Sequence, residues 1–353
     1  MKDKIVVFTF IIYLLFFSIA HIVIKDDDIS VSERRKLAQF PEFKFENDYI
    51  NNVDKYLLDH YPFRDNFRSF KAKFNYSFLH KLDNNDIYLK DNFIFKSNYP
   101  TNNKSINNFQ NHINKILENN KIKSAHLLVV PDKNYYIEDS LFLNIDYDYI
   151  YDELKKLDLE LIDIRDIMEL SDYYETDTHW KQEKLLKVIK ELSSHLNFKY
   201  EEYKYNINTF DNFYGVYYGE SAINRKPERI TYLSNEIINN ANVKYLENDK
   251  LTTVYNEANL KTFDSYEIYL DGASSFIEIF NKDIKNKKEL VIFRDSFGSS
   301  ITPLLIPYYS KITIIDNRYI NSVYYNELID LDNKDVLFIY STLIINNSYS
   351  LKN

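Results

Sequence analysis

Three short apolar segments, Glu289–Phe293, Lys311–Ile315 and Asp335–Tyr340, follow one another with room for a helix between each pair. Strands so short and so continuously apolar are buried on both faces, and a helical crossover between them makes neighbouring strands parallel. Ala125–Val130, ended by Pro131, and Leu159–Ile164 read as further strands of the same kind. Ser105–Asn119 carries Ile106, Phe109, Ile113 and Ile116 at helical spacing, and Lys181–Leu196 carries Leu185, Val188, Ile189, Leu192 and Leu196. The predicted fold class is therefore α/β, a parallel sheet flanked by helices, occupying about residues 101–353. Residues 200–285 read as an irregular insert with some strand. No internal repeat is present, and no linker sets off a second domain.

Ile5–Ile24 contains no Asp, Glu, Lys or Arg. A helix of that length spans a hydrocarbon core of ~30 Å. Lys2 and Lys4 precede it and Asp26, Asp27 and Asp28 follow, so the positive-inside tendency leaves the N-terminus in the cytoplasm and the remainder outside. Ser18-Ile19-Ala20 comes nearest to a signal-peptidase site, but the apolar run continues past it; residues 1–25 read as an uncleaved single-pass anchor. Residues 26–100 are charged and aromatic, a mainly helical juxtamembrane segment. It has a helix about Asp48–His60 that Pro62 helps to end.

The chain has a net charge of −9 and no basic stripe, which argues against a nucleic-acid partner. It has no cysteine, so disulfides, thiol catalysis and thiolate-bound zinc are excluded. Its seven histidines lack zinc-binding spacing, and no phosphate-cradling glycine motif occurs; no cofactor or metal is expected. The abundant Tyr and Phe are a bias of composition rather than a sugar platform. His60 and His126 read as structural, one at a helix end and one in a core strand. With only four glycines, Gly215, Gly219, Gly272 and Gly298 are expected where a side chain would be costly.

Chemistry concentrates in two segments. Asp177-Thr178-His179-Trp180 precedes a helix, and Asp295-Ser296-Phe297-Gly298 follows an apolar strand where a helix should start. Open α/β sheets bind ligands outside the carboxyl ends of their strands. A helix N-terminus there supplies N–H groups for an oxyanion, with Gly298 allowing close approach. A serine hydroxyl needs a base, and His179 can serve, oriented by Asp177 two residues earlier. Either segment alone is weak, since Asp and Ser commonly cap helices. Together they supply nucleophile, base and orienting carboxylate.

The pair resembles the SGNH-hydrolase-like alginate O-acetylation proteins and the clostridial DHHW family. Arg34-Arg35-Lys36-Leu37-Ala38 with Phe40-Pro41, Tyr61-Pro62-Phe63-Arg64, Val130-Pro131-Asp132-Lys133 and Asp316-Asn317-Arg318-Tyr319 resemble flanking motifs of that group, in order, over about residues 30–350. The resemblance implies an SGNH-type fold with the Asp-x-His element ahead of the serine block, and a catalytic set of Ser296, His179 and Asp177. It places Arg318 and Tyr319 near the site as ligand contacts. It further implies transfer or removal of acetyl groups on a surface or exported polysaccharide, with a multipass membrane O-acyltransferase as donor. Thr178 follows the alginate-type spelling of the His motif, and Arg294 stands where many SGNH proteins have Gly. The short stretch after Ser296 leaves little room for a carbohydrate-binding module, so grip on a glycan is expected from the catalytic domain or a partner. Two other readings fit the anchor: a non-catalytic glycan-binding scaffold, and transfer of another acyl group such as D-alanine.

Overall fold

A computed structural model of the chain describes residues 2–45, 48–137, 142–246, 248–285 and 287–352. They form two compact units, Met1–Leu89 with Val216–Lys226, and Lys90–Gly215 with Pro227–Asn353.

The larger unit is built on an eight-stranded sheet. Its strands are β1 (Ser124–Val130), β2 (Glu160–Asp163), β3 (Asn242–Tyr245), β4 (Asn248–Thr252), β5 (Phe276–Phe280), β6 (Glu289–Arg294), β7 (Lys311–Ile315) and β8 (Asp335–Ser341). They lie in the order β4-β3-β5-β7-β6-β8-β1-β2. Every neighbouring pair from β7 to β2 is parallel, whereas β5, β3 and β4 extend the sheet with antiparallel pairings. The expected parallel core is thus present, and the segment read as an irregular insert supplies the antiparallel extension. The same segment contributes a separate hairpin of Asn206–Phe213 and Glu228–Ser234.

Alternate residues of β6 enter different cores. Leu290 and Ile292 pack with Val188, Ile189, Leu192 and the helix Phe297–Leu305, while Val291 and Phe293 pack with Ile106, Phe109, Ile113 and Ile150. Burial on both faces explains why the strands read as unbroken apolar runs rather than alternating ones. Each such fully buried Ile, Leu or Phe contributes ~1.5–3 kcal/mol. The helix expected over Lys181–Leu196 is regular only over Leu186–His195, after a single 3-10 turn, Gln182–Lys184. Gln182 is the reason: its fully buried amide donates to the Ser300 carbonyl at 2.7 Å and accepts from the Leu233 N–H at 2.7 Å.

In the smaller unit, α1 (Lys2–Val23) is long and apolar enough to cross a membrane. It is followed by α2 (Asp48–Asp59) and α3 (Arg64–Lys73), the last continued by a wide π-type turn, Phe74–Phe78. Two of the flanking motifs meet here. The Arg35 guanidinium forks onto Asp59, Asp59 also accepts the Ala38 N–H at 2.9 Å, and Glu33 draws in Arg35, Arg64 and Arg68. His60 follows α2 and sets its Nε2 2.9 Å from the Ala38 carbonyl.

Candidate active site

The two sequence segments converge at the carboxyl edge of the parallel strands. Ser296 follows β6, while Asp177 and His179 lie in the loop between β2 and helix Leu186–His195. The Asp177 carboxylate is fully buried and lies 2.6 Å from His179 Nδ1; the same oxygen accepts the His179 main-chain N–H at 3.0 Å. That bond places the imidazole proton on Nδ1 and leaves Nε2 as an acceptor. Nε2 stands 2.8 Å from Ser296 Oγ. Asp177, His179 and Ser296 are therefore in hydrogen-bonding sequence.

The imidazole is held by packing as well. Tyr266 lies flat on it, with ring centroids 3.9 Å apart and planes 10° from parallel, and Phe297 sits at 4.9 Å on a tilt. Tyr266 is fixed in turn by donating from its hydroxyl to Ser300 Oγ at 2.8 Å, the atom that also accepts Trp180 Nε1 at 2.8 Å. Burial drives the Tyr266 phenol well above its ordinary pKa, so it remains a neutral donor.

Two side chains of opposite character, the buried Lys133 and the half-buried Glu228, grip the loop that carries Asp177. From the end of β1, Lys133 sends its ammonium to the carbonyls of Tyr174 (3.1 Å), Glu175 (3.2 Å) and Asp177 (2.7 Å). Burial pulls its pKa down to about 7, against the attraction of Asp177, Glu228, Asp132 and Glu175. From the hairpin, the Glu228 carboxylate accepts the N–H groups of Glu175 (2.6 Å) and Thr176 (2.7 Å) and the Thr176 hydroxyl. Gly215 closes the grip: a Cβ there would stand 2.2 Å from the Thr176 carbonyl oxygen.

The serine turn has its own fastening. Asp295 Oδ1 accepts the Phe297 N–H at 2.9 Å, and Oδ2 accepts both the N–H and the hydroxyl of Ser341, each at 2.7 Å, tying the turn to the end of β8. Arg294 is buried beneath it, donating to Ser299 Oγ (2.8 Å) and the Gly272 carbonyl (3.0 Å) with Asp316 at 3.6 Å. Gly298 approaches its neighbours closely, as its place at the start of a helix suggested. Its N–H is bonded to the Asp295 carbonyl at 3.1 Å, and a Cβ would come within 2.6 Å of Arg294 Cβ. The glycine makes room for the arginine.

Arg318 and Tyr319 follow β7, whose Ile315 is in register with Phe293 of β6, so they leave the same edge of the sheet as Ser296. Arg318 grips Asp316 through Nε (2.9 Å) and Nη2 (2.7 Å), and Tyr319 is exposed beside it. Among the residues that hold the site, Lys133 was visible only as the last letter of a flanking motif. Glu228 and Tyr266 carried no signal in the sequence. His126 lies in β1, 2.9 Å from the Glu160 carboxylate and apart from this cluster.

The fold is an α/β sheet of SGNH-hydrolase-like architecture. Its architecture is shared with a DHHW family protein from Eubacterium siraeum, at a TM-score of 0.61 and 19% identity over 77% of this chain and 97% of that one. It is shared likewise with PatB1 from Bacillus cereus, at 0.59 and 19% over 74% of this chain and 97% of that one; PatB1 has also been solved with a sulfonyl adduct. A more distant likeness is to the O-acetyltransferase domain of AlgJ from Pseudomonas putida, at 0.43 and 10% over 74% of this chain and 92% of that one. No protein-family model matches the sequence, and no curated protein matches it. The resemblance drawn from the motifs therefore holds at the level of fold.

Proposed function

We propose that this protein is a serine-dependent O-acetyltransferase or acetylesterase acting outside the cytoplasm on a surface or exported polysaccharide. The observation that carries the reading is the unbroken Asp177–His179–Ser296 chain, with spacings of 2.6 and 2.8 Å. His179 Nε2 takes the proton of Ser296 as Oγ attacks the acetyl carbonyl carbon. The imidazolium formed is stabilised by Asp177 and returns that proton to the departing alkoxide, leaving acetyl-serine. An incoming sugar hydroxyl or water then gives its proton to Nε2 and attacks the acyl carbon, and Nε2 passes that proton to the departing Oγ, restoring Ser296 and neutral His179. The N–H of Ser296 would meet the oxyanion; Gly298 joins only by giving up its bond to Asp295. Arg318 and Tyr319 are assigned to substrate contact, and α1 to tethering the protein beside a multipass membrane O-acyltransferase that supplies acetyl groups.

The test is reaction of the full chain with a sulfonyl fluoride and with a chromogenic acetyl ester, with Ser296→Ala alongside. Adduct mass on Ser296 and turnover that both vanish in the variant are the expected result. A folded protein that gives neither, offered several acetyl donors, would instead be a glycan-binding scaffold.

A further inference from the structure

Beside α1 lies a helix whose apolar face stays largely exposed among the described residues. Phe63 stands at the start of α3, and Phe67, Phe70, Phe74 and Phe78 follow every three or four residues through α3 and the wide turn that continues it. That spacing sets them in one stripe. All five are exposed, from 41% at Phe74 to 70% at Phe78. Their rings stack along the stripe, 6.2 Å from Phe70 to Phe74 and 4.8 Å from Phe74 to Phe78. Contiguous aromatic surface of this kind is costly in water and marks a contact. Other side chains of the same helix turn inward: Ala72 and Asn75 are buried, and Arg68 reaches Glu33 and the carbonyls of Gly219 and Glu220.

The stripe starts on the apolar helix itself. Phe63 stacks with Phe16 at 6.4 Å, Phe67 meets Phe17 at 6.0 Å, and Tyr61 joins them through Phe17 at 5.3 Å and the Tyr13 hydroxyl at 3.3 Å. Tyr13, Phe16 and Phe17 lie about six to ten residues before Val23, where α1 ends. At 1.5 Å per residue that is ~9–15 Å along the helix, within the half-thickness of a ~30 Å hydrocarbon core. A helix that meets an anchor at that level begins among acyl chains. Lys71, Lys73 and Lys81 flank the stripe, the arrangement that suits anionic headgroups.

We propose that α3 and its continuation form a second membrane contact, lying in the leaflet that α1 exits. The Phe63–Phe78 stripe is buried at the boundary of acyl chains and headgroups, with Lys71, Lys73 and Lys81 at the phosphates. The proposal rests on α1 crossing the bilayer.

The chain has no cysteine, so single nitroxide labels can be placed without background. The experiment compares Phe70→Cys, Phe74→Cys, Asn107→Cys and Phe10→Cys in the full chain, in nanodiscs of phosphatidylethanolamine and phosphatidylglycerol; Asn107 is an exposed residue of the helix Asn103–Asn119 in the larger unit. Collision with oxygen and with a water-soluble nickel chelate is read by electron paramagnetic resonance. The expected result is a ratio of oxygen to nickel access several-fold higher at positions 70 and 74 than at Asn107, approaching that at Phe10. Nickel access at 70 and 74 equal to that at 107 overturns the proposal, because water then covers the stripe. Labels immobilised and shielded from both reagents overturn it in favour of a protein partner. Lipid exposure at Phe10 in either case shows that the anchor reading survives, whereas water exposure there removes both.

Discussion

Replacing Lys133 by methionine keeps most of the side chain's length and removes its donors. Three buried carbonyls, those of Tyr174, Glu175 and Asp177, then lose their partner. A buried acceptor left unsatisfied costs ~1–3 kcal/mol, and the relief of no longer burying an ammonium offsets part of the sum. The expected loss is about 3–5 kcal/mol, a drop in melting temperature of about 4–7 °C for a chain of this size. Thermal unfolding of the full chain in detergent, followed by near-ultraviolet circular dichroism, measures it. The pH dependence has a definite sign. With the folded pKa pulled down to about 7 and the unfolded one at the ordinary 10.5, the unfolded state binds more protons between those values. Wild-type stability therefore gains with rising pH in that window, a gain the methionine variant lacks, so the gap between them widens from pH 7 to pH 9. A gap below about 1 kcal/mol, or one that narrows over that range, would refute the assignment of Lys133 as the buried support of this loop.

Asp177→Asn should keep the fold yet lower turnover by ~10³–10⁴-fold, because the amide favours the wrong imidazole tautomer; ester hydrolysis beside a melting curve checks both. Gly215→Ala forces a Cβ toward the Thr176 carbonyl, 2.2 Å away, and should cost ~1–3 kcal/mol together with most of the activity; an unchanged melting temperature would contradict the close approach. Trp180→Phe removes the donor to Ser300 and should destabilise by ~1–3 kcal/mol, read by chemical unfolding followed by circular dichroism, since Trp180 is the chain's single tryptophan.

Ser296, His179 and Asp177 were legible because each sits in a short motif at the end of an element whose hydrophobic pattern could be read. Val130-Pro131-Asp132-Lys133 was legible as a motif but not as a device, since the partners of Lys133 are main-chain carbonyls and a carbonyl belongs to every residue. Glu228 and Tyr266 were silent for a related reason. They come from the stretch 200–285, where strands such as Phe276–Phe280 interrupt their apolar run with Glu278 and pair antiparallel, so no crossover helix announces them. The glycines spoke more clearly. In a chain with four of them, the expectation of close approach is met at Gly215 and Gly298, although the neighbour of Gly298 is Arg294 rather than a ligand.

The stack of Tyr266 on the imidazole bears on the order of events. A ring covered on its face at 3.9 Å and crowded by Phe297 cannot swing between two stations. In the proposed reaction it must receive and return each proton along a single edge, the one that meets Ser296. The departing alcohol and the arriving one would then use the same berth in turn. Traffic of that kind forbids a ternary complex and predicts parallel double-reciprocal plots when donor and acceptor are varied together.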